Sequence, residues 1–180
     1  KNVLKHFYGV LQEYIGEEYP EVLACVLDAI REIIKNLELN ELSPPADDVI
    51  SRLVPVLKNR NEKVAYSSIM LIKVLSEKSS DLVVKKEWMR ICFELLEMLK
   101  AEKKDVRKAA IETFAFIAQA IGPFDVLLAL LNNLQVQERQ IRICTTSAIA
   151  VLADKCGPYK ILPALMNEYR RPDSNVQNGA

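Results

Sequence analysis

A chain of 180 residues, 50% of them hydrophobic and 27% charged, holds enough apolar material to bury a continuous core and is not composed like a disordered tail. Lys and Arg number 24 and Asp and Glu also 24, so net charge alone points to neither nucleic acid nor a membrane as partner. No stretch of roughly 18 uncharged apolar residues occurs, which argues against a membrane-spanning helix, and glycine is scarce at 5 residues, as expected of a helical protein.

The chain opens on KNVLKHFYGVL, which has neither the layout of a signal peptide nor a plausible start and reads as the middle of a helix. After the turn GEEYPE, Pro20 is placed to start a second helix whose apolar stripe is Val22, Val26, Ile30 and Ile33. SPPADD at 43 to 48 breaks the chain before a helix around Leu53, the turn KNRNEK, and a helix carrying Val64, Ile69, Ile72 and Leu75. A looser stretch at 77 to 86 leads to a helix around Leu95, the turn KAEKKD, and a helix carrying Val106, Ala110, Phe114, Ile117 and Ile121. Gly122-Pro123 then separates a hairpin built around Leu130 and the turn QVQERQ, and Gly157-Pro158 precedes the last, with Leu165, the turn RRPDSN and Pro172.

One template runs through these elements. A leucine (Leu11, Leu53, Leu95, Leu130, Leu165) is followed at plus four by Ile15, Leu57, Leu99, Leu134 or Tyr169, and at plus eleven by Val22, Val64, Val106, Ile141 or Val176. The steps between leucines are 42, 42, 35 and 35, and differing loop lengths account for the contraction. A spacing of four keeps two residues on one helical face, and the next seven hold a turn and the start of a second helix, so each repeat is a helical hairpin. The expected fold is an all-α solenoid of stacked hairpins, with repeats at about 1–42, 43–84, 85–122, 123–157 and an incomplete 158–180. A period near 40 fits the HEAT and armadillo class better than tetratricopeptide units, which hold near 34. Pro55 and Pro163 fall within first helices and are expected to kink them. The ends, lacking polar caps, are expected to stack on further repeats of a longer polypeptide.

Few residues suit chemistry. His6 is the one histidine, and with no Gly-rich phosphate loop, nucleophile elbow or H-E-x-x-H there is nothing from which to assemble a triad, a metal site or a nucleotide cradle; His6 is expected to be structural. Cys25, Cys92, Cys144 and Cys156 form no C-x-x-C pair and are expected to be buried reduced thiols. The pairs Glu17-Glu18 and Asp47-Asp48 lie where helix starts favour acidic residues. No catalytic residue, cofactor or metal ligand is expected, and the chain reads as a scaffold and not as an enzyme.

The hairpin turns carry sign. The first is acidic, the second holds Lys58, Arg60 and Lys63, the third Lys100, Lys103, Lys104, Arg107 and Lys108 against Glu102 and Asp105, and the fourth Arg139 and Arg142. Stacking sets equivalent turns side by side, so these cations should line one edge next to the N-termini of the second helices, where backbone N–H groups favour phosphate. The edge is either a solvated rim or a track for a nucleic-acid backbone or an acidic partner. Aromatic residues are not interleaved with the basic ones, so recognition of backbone and shape is expected in preference to base stacking.

Longer strings are distinctive: EEYPEVL at 17 to 23, LKNRNEKV at 57 to 64, EWMRICFELLEMLKAEKK at 87 to 104, LLNNLQVQERQIRICTTSAIA at 130 to 150, and ILPALMNEYRRP with NVQNG at 161 to 179. Over nearly the whole chain they closely resemble the large HEAT-repeat subunit of splicing factor 3b. That resemblance implies a nuclear block of the C-terminal superhelix within the small nuclear ribonucleoprotein that selects the intron branch site. Its partners would be the duplex of small nuclear RNA and intron, a PHD-finger-like zinc-bearing small subunit and other splicing factor 3b subunits. Splicing modulators of the pladienolide type would share the pocket of the bulged branch adenosine. The family's pocket motif stands here as Lys103-Lys104-Asp105-Val106-Arg107-Lys108-Ala109-Ala110-Ile111, which nominates Lys104, Arg107, Lys108 and Ile111, with Ile143 and Ser147 from the next repeat. Ile111 and Ser147 stand where the family often has valine and Lys108 where it often has arginine, so adenosine binding is expected to survive while modulator binding meets an altered wall with a hydroxyl at 147. The rival reading is a HEAT adaptor of the transport or phosphatase-scaffold kind that binds proteins only.

Overall fold

The computed structural model describes residues 1–78 and 84–170. Among them the chain forms α1 (Asn2–Gln12), α2 (Pro20–Lys35), α3 (Ala46–Leu57), α4 (Glu62–Lys78), α5 (Lys85–Met98), α6 (Lys104–Ile121), α7 (Pro123–Asn133), α8 (Arg139–Cys156) and α9 (Pro158–Tyr169), with a short 3-10 turn at Leu39–Glu41. Pro172, Val176, most of the turn RRPDSN and part of the 77 to 86 stretch lie outside the described residues.

Punctuation in the sequence sets the helix ends. Pro20, Pro123 and Pro158 each occupy the first turn of their helix, where a missing N–H leaves no bond unmade. Gly122 closes α6 and opens α7, and Gly157 does the same between α8 and α9, at φ of 90° and 97° and extended ψ. Side-chain-bearing residues avoid that region, and a Cβ at Gly157 would also lie 2.8 Å from the Tyr159 ring. Gly157→Ala is therefore expected to lower stability by about 1 to 2 kcal/mol, read as a lower melting temperature. Pro55 and Pro163 sit inside α3 and α9 without ending them.

Among the described residues, eight of these helices make two layers, and α1 packs against α2. In one, α2, α4, α6 and α8 pack in succession; in the other, α3, α5, α7 and α9 do, and each hairpin joins the layers. Architecture of this kind is the expected all-α solenoid. The even helices run parallel, because Glu62 at the start of α4 accepts from the Lys103 N–H that precedes α6, at 3.0 Å, while Gln119 near the end of α6 donates to the Lys155 carbonyl near the end of α8, at 3.4 Å. Lys78, at the end of α4, donates at 2.9 Å to the carbonyl of Lys35, the last residue of α2, and at 2.7 Å to that of Leu37 just beyond it, satisfying acceptors that no helical N–H can reach.

Apolar residues between the layers form one core that includes Leu27, Ile30, Ile50, Ile69, Ile72, Trp88 and Phe114. The interior template residues Leu53, Leu95, Leu130, Leu57, Leu99, Leu134, Val64, Val106 and Ile141 are all buried. At the margins the template departs from the structure. Leu11, Ile15 and Leu165 are half-buried, Tyr169 is exposed, and Val22 is 46% exposed because Leu23, Leu27, Ile30 and Ile34 form the inward stripe of α2. Burying even an interior hydroxyl costs little here, since Ser68, Thr113 and Thr145 each donate to the carbonyl four residues back at 2.7 to 2.8 Å. The fully buried Tyr8 phenol donates to the Pro44 carbonyl at 3.0 Å, and burial holds its proton well beyond the usual range.

Two expectations need correction. Cys92 and Cys144 are buried, but Cys25 is exposed on the outer side of α2 and Cys156 is half-buried. Burial pushes the Cys92 thiol up to about 12, so a maleimide is expected to label Cys25 in the native protein and to reach Cys92 only on unfolding, as peptide mass mapping would record. His6 is exposed, with its ring edge to face with that of Phe7, so it is not part of the buried core.

Candidate nucleic-acid interface

The turns after α3 and α5 come together in a cleft of about 830 Å³ between repeats, lined by Lys58, Arg60, Lys63, Lys100 and Lys103 together with Glu21, Glu62, Glu97 and Glu102. Stacking in register puts these turns at one edge, as their spacing implied. Their charges are not all available. Lys58 pairs with Glu94 at 3.2 Å, Lys100 with Glu97 at 2.7 Å and Lys103 with Glu62 at 3.1 Å. Arg60, Lys63, Lys104, Lys108 and Arg139 are exposed and have no carboxylate within ion-pair distance among the described residues.

These five share a location. Lys63, Lys104 and Arg139 belong to the first turns of α4, α6 and α8, Arg60 to the turn before α4, and Lys108 lies one turn inside α6. Since those helices are parallel neighbours, their positive N-terminal ends and the unpaired side chains form one field. The N-termini of α6 and α8 receive no side-chain cap, whereas at α4 the Asn61 carboxamide oxygen accepts from the Lys63 and Val64 N–H groups at 3.0 and 3.3 Å.

Arg107 and Arg142 occupy the same position in α6 and α8, and the structure gives both a different task. The Arg107 guanidinium donates at 2.6 Å to the carbonyls of Ala101 and Glu102, and that of Arg142 donates to the carbonyls of Val136, at 3.0 Å, and Gln137. Each ties its helix to the turn that precedes it. In the second repeat, where Ala65 holds that position, the Asn59 and Asn61 side chains brace the turn.

Ile111, on α6, is half-buried against the core, while Ile143, on the neighbouring α8, is 50% exposed. Ser147 lies one turn beyond Ile143 and donates its hydroxyl to the Ile143 carbonyl at 2.9 Å. Its own helix thus supplies the partner that a hydroxyl in an apolar wall requires. Lys108 faces the opposite neighbour, α4, in a notch that it shares with Tyr66, Met70, Asp105, Ala109 and Glu112. Sequence reasoning missed Tyr66; the signal was the 42-residue step, which sets Tyr66 and Lys108 at equivalent positions of adjacent helices. Farther along the same face, Lys73 and Lys155 from α4 and α8 lie 4.9 and 4.2 Å from the centre of the Phe116 ring, and Lys73 also pairs with Glu112 at 3.0 Å. Among the described residues, no group of three or more His, Cys, Asp or Glu gathers as a metal site, and no helix is long and apolar enough to cross a membrane.

Known proteins resemble this chain at two levels. A family model of PPP2R1A-like HEAT repeats matches residues 119–180. The U2 snRNP component prp10 of Schizosaccharomyces pombe is 54% identical over 170 residues, covering 94% of this chain and 14% of the relative. The U2 snRNP component HSH155 of Saccharomyces cerevisiae is 55% identical over 170 residues, covering 94% of this chain and 18% of the relative. The chain therefore spans less than a fifth of the length of these curated relatives. A solved structure from crescerin, which uses a TOG domain array to regulate microtubules in the primary cilium, superposes with a TM-score of 0.65 at 16% identity, over 94% of this chain and 71% of the other; that likeness concerns the fold alone.

Proposed function

Because the chain belongs to the family of the large HEAT-repeat subunit of splicing factor 3b, which includes prp10 and HSH155, we propose that this block is a non-catalytic, nuclear scaffold of the particle that recognises the intron branch site. Its task is to clamp the duplex of small nuclear RNA and intron and to form part of the pocket for the branch adenosine. The carrying observation is the single edge on which Arg60, Lys63, Lys104, Lys108 and Arg139 stand exposed and unpaired beside the N-termini of α4, α6 and α8. A phosphate backbone matches such an edge, since every phosphate neutralised releases counterions and strengthens binding at low salt.

Within this reading Lys104 and Lys108 hold phosphates, Arg107 positions α6 through its turn, and Ile111, Ile143 and Ser147 provide the less polar wall of the pocket. The PHD-finger-like zinc-bearing subunit would complete that wall, other splicing factor 3b subunits would cover further faces, and pladienolide-type modulators would compete for the same space. Lys58, Lys100, Lys103 and Arg142 set the shape of the edge more than its free charge, because carboxylates or turn carbonyls already hold them. An adaptor that binds proteins only is not favoured, since both relatives are U2 snRNP components.

Titrating the assembled particle with a duplex carrying one bulged adenosine tests the proposal. Affinity is expected to fall steeply between about 50 and 200 mM salt, and ultraviolet crosslinks are expected in the peptide spanning residues 103 to 112. Salt-insensitive binding with crosslinks confined to other subunits would refute it.

A further inference from the structure

Between α4 and α6, on the side of α6 away from Ile143 and Ser147, lies a notch of about 190 Å³ lined by Tyr66, Met70, Asp105, Lys108, Ala109 and Glu112. Tyr66 is 38% exposed, so part of its ring faces outward beside the thioether of Met70. Glu112 uses Oε2 to bind Lys73, and Asp105 is exposed with no cation within ion-pair distance among the described residues. We propose that this notch is a second nucleotide site, which receives one unpaired base stacked on Tyr66 with its exocyclic amino group donating to Asp105.

The chemistry of the lining selects this occupant. The free Asp105 carboxylate disfavours a phosphodiester beside Tyr66, so a strand passing here keeps its backbone against Lys104 and Lys108 and turns a base toward the ring. An aromatic face and a thioether accept any base by stacking, but carboxylates only accept hydrogen bonds and therefore favour bases that offer an amino group. Adenine and cytosine present one where uracil presents a carbonyl. An arginine from a protein could also meet Tyr66 and the carboxylates, but Lys108 within the lining and the unpaired cations around it oppose a further positive charge.

The notch is not a general feature of stacked hairpins. At the next interface, between α6 and α8, the positions equivalent to Tyr66, Met70, Asp105 and Lys108 hold Lys108, Glu112, Gln140 and Ile143, so neither the aromatic ring nor the Asp105 carboxylate recurs. One site of this composition next to the proposed adenosine pocket fits a strand whose neighbouring nucleotide is also unpaired. The inference rests on the RNA-binding reading above and adds a location, a base preference and a residue.

The test uses the assembled particle and RNA duplexes that differ only in whether the nucleotide beside the bulged adenosine is an unpaired A, C or U. Tyr66→Ala is expected to weaken binding of the A-containing RNA roughly 5- to 150-fold, the span of one lost stacking contact, without altering the salt slope. Tyr66→Phe is expected to bind nearly as the unaltered protein does. Asp105→Ala should bring the affinities for A, C and U together. Equal RNA affinities for the Tyr66→Ala and unaltered particles would overturn the second site while leaving salt-dependent RNA binding intact. So would loss of a protein subunit in place of RNA, or a Tyr66→Phe particle as weak as Tyr66→Ala. Absence of salt-dependent binding by the unaltered particle would overturn both readings at once.

Discussion

Alanine at both Lys104 and Lys108 is expected to weaken binding of a bulged RNA duplex by about 50-fold near 0.1 M salt. Each phosphate contact contributes close to one unit to the slope of log affinity against log salt, so two lost contacts remove nearly two units and, between 1 M and 0.1 M, nearly two decades of affinity. Stability should barely change, because neither side chain has an ion-pair partner to lose and both are exposed. The comparison is made by titrating particles assembled with the altered and unaltered chain at several salt concentrations. A slope unaffected by the double substitution would remove both lysines from the interface.

Arg107→Ala is expected to act through stability and not through free charge. Its guanidinium bonds two turn carbonyls at 2.6 Å, and truncation leaves both without that donor, at a cost of about 2 to 3 kcal/mol for charge-assisted bonds. Amide hydrogen exchange in residues 99 to 107 of the full-length protein should therefore speed up by one to two orders of magnitude, and RNA binding should weaken because α6 is no longer held at its proper start. Arg107→Lys should recover little, since an ammonium lacks the fork that spans two carbonyls. If exchange is unchanged while the salt slope drops by about one unit, Arg107 is a phosphate ligand and not a brace.

The contrast between these neighbours marks where sequence reading succeeds and where it stops. Leu53, Leu95 and Leu130 with Val64, Val106 and Ile141 repeat at a fixed register, and all are buried, because interior hairpins meet the same surroundings on both flanks. Val22 obeys the same spacing and is exposed, since α2 has α4 as its one neighbour in the layer among the described helices and turns Leu23 and Leu27 inward. Charge at the turns was legible in the residues, but its availability was not: Lys103 and Lys104 look alike in sequence, and only the fold brings Glu62 to one of them. The acceptors that hold Arg107, Arg142 and Ser147 are backbone carbonyls, which no residue letter reveals. Tyr66 beside Lys108 is a contact across 42 residues that a search for aromatic and basic residues adjacent in sequence could not find.

Gly122 and Gly157 carry a mechanical consequence. Between α6 and α7, and again between α8 and α9, the chain has one residue, followed by a proline whose φ is fixed. Such a joint has almost no slack, while the segment from 36 to 45 between α2 and α3 offers ten residues of connection. Any tightening of curvature in the second half of this block must come from side chains of α4, α6 and α8 sliding past one another, a shear that packed surfaces permit only in small steps. That half responds to load as a stiff spring, with its compliance set by packing and not by its links.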